Sequence, residues 1–113
     1  MSVTVDDVIY RGLIIRAPGL DPVRLLYTDL GGMSHVIIEC FGNAWSRFFA
    51  GTGPRSVIEF LASCDADYLS NGVSPQHTVP ARAAAYRRRV CEAVIAGAKT
   101  HLSARGANAG GDQ

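Results

Sequence analysis

No stretch of this sequence is apolar for more than a few residues, so none of it reads as a membrane span. It also lacks a basic leader followed by an apolar run and a small-residue cleavage site, which sets the expectation of a cytoplasmic protein. The cysteines, Cys40, Cys64 and Cys91, are odd in number and none sits in a C-x-x-C pair. That pattern fits reduced thiols better than a disulfide framework. His35, His77 and His101 are scattered, with no i, i+4 pair and no cysteine at ligand spacing, so no metal and no other cofactor is expected. No internal repeat is present. Net charge is only +1, which argues against a protein that works mainly by coating nucleic acid.

What remains is an ordinary globular composition: 113 residues, 48% apolar and 19% charged, enough for one modest core. Residues 1–105 are read as a single domain, and "GANAGGDQ" at 106–113, with almost nothing to bury, as a disordered tail. The first half is strand-like. "DVIYRGLIIR" is broken by "APGLDP"; "VRLLYTDL" and "HVIIECF" flank the short turn "GGMS"; a reversal at Gly42 and Asn43 leads into "AWSRFFA".

After Gly53 the apolar period becomes helical, through Val57, Phe60, Leu61 and Cys64. Ser56 and Glu59 have the spacing of a capping box. "DADYLSNG" reads as a second short helix that Asp65 caps and Asn71 with Gly72 stops. Residues 72–80 are a linker, and a long helix follows from about Pro80 to Arg105, with Gly106 beyond its end. The predicted fold is α+β: a three- to four-stranded antiparallel meander with a short helix and a long C-terminal helix packed on one face.

"GTGPRS" between strand and helix invites a phosphate-site reading. It has no lysine and lacks Walker spacing, and a dinucleotide fingerprint needs a third glycine and a parallel sheet. The preferred reading is a tight turn before a helix cap; a weak anion site using Arg55 is the other.

The block "ECFGNAWSRFFAGTGPRSVIEFLASCDADYL" resembles a family of small bacteriophage and prophage proteins. The resemblance rests on Cys40, Phe41 and Gly42; Ala44 and Trp45; Phe48 and Phe49; Gly53 and Phe60; Cys64 and Asp65; Tyr68 and Leu69. It covers residues 38–69 well and leaves the Arg-rich helix outside. Relatives carry Met-Gly in the turn, where this chain has Thr52, Gly53 and Pro54. The resemblance implies a phage origin and a place in the host-cell cytoplasm; it carries no reaction.

Candidate chemistry is thin. Cys40 alternates with Val36 and Ile38, and Cys64 shares a helix face with Phe60 and Leu61, so both read as core residues rather than nucleophiles. Asp65 and Asp67 point to different sides of a helix. On the long helix, Tyr86, Val90, Val94, Ala98 and Leu102 form an apolar stripe that also contains Arg87 and His101. Arg87 either extends past the stripe's edge, pairs with Glu39 or Asp65, or meets a partner. Arg82, Arg88 and Arg89 flank the stripe as a solvated face or as a surface for nucleic acid or an acidic protein.

Trp45, Arg47 and Phe49 alternate to one side of their strand and Phe48 to the other, so both sides of that strand carry a ring. One side is assigned to the helices and the other to a partner or a second copy. The leading functional reading is a non-enzymatic phage accessory protein that binds a host protein, in particular to counter a defence system. Its candidate partner-binding residues are Arg82, Arg87, Arg88, Arg89, Trp45, Arg47 and Phe49. The alternative is a nucleic-acid-binding factor using the Arg-rich helix. A cysteine enzyme ranks last. A homodimer is compatible with all three.

Overall fold

The computed structural model describes residues 1–30, 32–73 and 80–111, with side chains in the last helix described through Arg105. His77 and most of the expected linker lie outside the described residues. Four strands come first: β1 (Arg11–Ile15), β2 (Val23–Asp29), β3 (Met33–Cys40) and β4 (Asn43–Ala50). Three helices follow: α1 (Val57–Ser63), α2 (Ala66–Gly72) and α3 (Ala81–Gly111). The strands form one antiparallel sheet in the order β1-β2-β3-β4, so each pairs with its sequence neighbour. This is the α+β meander that the alternation of apolar residues predicts.

One face of the sheet is the floor of the core. Leu13, Leu25, Ile38 and Trp45 face one another across the four strands. Val23, Val36 and Cys40 join them, essentially without exposure. The helices cover this face. Val57, Ile58 and Leu61 of α1, Leu69 of α2 and Val90, Cys91, Val94 and Ala98 of α3 close the same cluster. The stripe read on α3 is therefore its buried side. At Gly97 helix and edge strand touch: a Cβ there would stand 2.7 Å from Cγ1 and Cδ1 of Ile15.

The local stop signals are where residue chemistry puts them. Ser56 and Glu59 make both bonds of the capping box, and the Asp65 carboxylate accepts the Tyr68 N–H at 2.7 Å. Gly51 and Gly53 both hold positive φ, so the "GTG" segment is a turn that demands glycine. Arg55, the residue of the weak anion-site reading, donates instead to Thr52 O and Ser63 Oγ and lies over the Phe60 ring.

Four boundaries differ from the sequence reading. Strand β1 begins at Arg11, opposite Tyr27, rather than at Asp7; β2 ends at Asp29, so the residues before Ile9 have run past the end of β2. A strand with no neighbour to bond is not regular structure. The β3–β4 reversal falls on Phe41 and Gly42, one residue earlier than Gly42 and Asn43. Helix α3 continues past Gly106 to Gly111, since glycine weakens a helix by about 1 kcal/mol without ending it. That covers most of the expected tail at 106–113, of which 112 and 113 lie outside the described residues. Cys64 is likewise the residue that ends α1 rather than part of its face.

Candidate interaction surface

The arginines of α3 do not act as a group. Arg87 is buried, 7% exposed, and its Nε donates to the Ser70 hydroxyl at 3.1 Å. Neither Glu39 nor Asp65 pairs with it among the described residues. Arg88 donates to the Asp67 carboxylate at 2.8 Å and pairs with Glu92, and Asp67 raises its pKa above the ordinary arginine value. Arg89 donates to the carbonyl of Gly19 at 3.0 Å, tying α3 to the β1–β2 loop. Arg82 is exposed. Three of the four α3 arginines proposed for a partner thus bond groups of the chain itself.

The aromatic candidates also divide. Phe49 is in the core, 3% exposed and packed against Phe60, where it cannot meet a partner while the fold is closed. Trp45 is half-buried against Tyr86, and Arg47 donates to the carbonyl of Gly72 at the end of α2. The helices cover the side of β4 that carries Trp45 and Phe49, two of the residues expected to meet a partner, and leave the opposite side open. Phe48, on the other side, is 53% exposed and stacks on His35 with ring centroids 4.3 Å apart. Tyr10 reaches the same imidazole. With Ile14, Leu26 and Met33, these residues make the outer sheet face apolar and open to solvent.

Sequence reasoning missed Phe41. Residues 41 and 42 form the two-residue link of the β3–β4 hairpin, with φ of 50° and 79°, the pair of positive values that a type I′ turn requires. Asn, Asp or Gly ordinarily takes the first of these positions; a phenylalanine there costs about 1–2 kcal/mol in backbone energy. Its side chain returns little of that, being 77% exposed. The available signal was a Phe-Gly pair between two alternating strands, which the reading placed at the end of a strand.

The cysteines are set for packing. Burial pushes the Cys91 thiol up to about 12 and raises Cys64 as well, which removes thiolate at neutral pH. Tyr86 is also pushed up to about 12, chiefly by its hydrogen bond to Cys40 and then by burial. All three groups are held protonated by the fold and release their protons at lower pH once unfolded. Stability is therefore expected to be level up to about pH 9 and to fall between pH 9 and 12. Urea midpoints measured across that range check this, and a level profile through pH 12 would contradict it.

The model of a phage family matches residues 1–107. The chain belongs to that phage family. The match includes the Arg-rich helix and so extends well beyond the block at 38–69. No curated protein and no solved structure matches the phage protein. None of its described helices is long and apolar enough to cross a membrane. Among the described residues, no three His, Cys, Asp or Glu side chains stand together as a set that could hold a metal ion.

Proposed function

We propose that this phage protein is a non-enzymatic accessory factor that binds a host protein through the tip of its β3–β4 hairpin, with a component of host defence as the expected class of target. The observation that carries the reading is Phe41: a large ring, exposed, held in the left-handed backbone region where stability alone favours Asn or Gly. Backbone strain of this kind is concentrated at functional positions, and exposed aromatic anchors dominate protein–protein contacts. Family membership supports the phage setting, and the small size suits an accessory role. The nucleic-acid alternative is less favoured, because Arg87 is buried and the exposed Arg88 and Arg89 each already bond a group of the chain itself.

The test is Phe41→Asn, which writes the preferred Asn-Gly pair into the turn. It is expected to raise stability by about 0.5–1 kcal/mol while abolishing capture of the host protein from a nuclease-treated lysate. Stability and binding would thus move in opposite directions. Capture undiminished in the stabilised variant would remove Phe41 from the surface. Capture lost from the native protein on nuclease treatment would return the Arg-rich helix to consideration.

A further inference from the structure

Residues 1–10 carry no regular structure, yet their sequence, "MSVTVDDVIY", is strand-like. Val3, Val5, Val8 and Ile9 are all strongly exposed; Val5 is 85% so. The end of this arm already follows the alternation of β1. Ile9 lines the inner side of the sheet beside Arg11 and Tyr27, while Tyr10 turns outward to His35. By the register of β1 with β2, Tyr10 and Ile9 still stand opposite Thr28 and Asp29, and the arm outruns β2 only before Ile9.

Strand β1 is also an edge. Among the described residues it pairs only with β2, so no described strand lies beside its outer rim of N–H and C=O groups. Next to that rim lies a groove of roughly 500 Å³ between β1 and α3. Its walls include Leu13, Ile15, Ala93, Ala96, Gly97 and Thr100. Small residues on the helix leave room there for one more strand with modest apolar side chains.

We propose that the occupant is the arm of a second copy of this chain, the two β1 strands pairing antiparallel about a two-fold axis at Ile9. A two-fold normal to the sheet keeps inner residues opposite inner residues, so permitted registers differ by steps of two. Centring on Ile9 places Asp7 opposite Arg11, Val5 opposite Leu13 and Val3 opposite Ile15, each twice. Both valines then enter the groove of the other copy, and both carboxylates meet a guanidinium. On the outer side Asp6 falls opposite Gly12, which offers no side chain to oppose it. Neighbouring registers are worse: they set Asp7 against Ile9 or against Leu13. Larger shifts bring Asp7 against Asp7 or Arg11 against Arg11. Charge alone therefore selects the register, and the product is one continuous eight-stranded sheet.

The experiment is sedimentation equilibrium on the full chain and on three charge variants, Asp7→Arg, Arg11→Asp and the double exchange. The native chain is expected to dimerise. Each single variant, which sets like charges opposite each other twice, should weaken the dimer at least tenfold, and the double exchange should restore it. Circular dichroism guards against unfolding. Ile9→Cys supplies a second readout, since opposed Cα atoms about 5 Å apart can be bridged. It should give a covalent dimer on oxidation. Val3→Cys, whose counterpart would lie about 40 Å away, should give no more than the native chain, whose Cys64 is partly exposed. A native chain that stays monomeric at 100 µM (roughly, the top of the working range for such assemblies) overturns the proposal. So does a dimer indifferent to the single exchanges, a double exchange that fails to restore it, or a Val3→Cys dimer without an Ile9→Cys one.

Discussion

Arg87→Ala is expected to destabilise the protein by about 2–4 kcal/mol, whereas Arg87→Met should stay within about 1 kcal/mol of the native chain. The side chain is buried beside Cys91 on the covered side of α3, and it donates to Ser70, itself only 5% exposed. Alanine removes both a long apolar stem and the donor to a buried hydroxyl, leaving a cavity and an unsatisfied oxygen. Methionine leaves the same hydroxyl without its donor and also removes the charge, but it fills most of the volume, so the two variants differ mainly in the cavity. Apolar replacements of buried charged groups are often neutral or stabilising, because desolvation had offset much of what the charge contributed. Urea unfolding of the two variants decides the matter. Equal losses would assign the stability to the hydrogen bond, and no loss in either would mean that Arg87 is not buried.

Leu25→Ala should cost about 3–4 kcal/mol, and Leu26→Ala less than about 1. The two leucines are neighbours in β2 and have opposite surroundings. Leu25 is fully covered at the centre of the sheet, between Leu13 and Ile38 and beneath the helices. Leu26 lies on the outer face and is 40% exposed. A loss of this size is a large part of the roughly 5–15 kcal/mol that holds a domain of this size together, so Leu25→Ala should lower the urea midpoint by more than 1 M for a slope of 1–3 kcal/mol per M. A comparable loss from Leu26→Ala would mean that the outer face is covered even in the isolated chain.

The strands, the caps and the covered side of α3 were legible in the sequence because each is written in local chemistry. Alternation in "VRLLYTD", the Ser56 and Glu59 pair, and the four-residue recurrence from Tyr86 to Leu102 need no knowledge of distant residues. Arg87 was ambiguous for the opposite reason. Its placement depends on Ser70, seventeen positions away on another helix, and nothing local marks that hydroxyl as a partner. The bonds of the Arg-rich cluster were hidden in the same way: charge counts cannot reveal that Asp67 and the Gly19 carbonyl stand ready to engage Arg88 and Arg89. Phe41 escaped notice because a phenylalanine beside β-branched residues reads as strand. Only the backbone dihedral exposes the conflict between residue and position.

The order of elements has a consequence for synthesis. The meander pairs only sequence neighbours, so its strands can zip together as they leave the ribosome, with short loops to close. The covering helix α3 comes last. Until it emerges, Val23, Leu25, Val36 and Ile38 have only α1 and α2 to cover them, and the nascent sheet is a sticky intermediate. Folding should therefore be completed by the final third of the chain rather than begun by it, and a ribosome stalled before Ala81 would hold a polypeptide that chaperones recognise.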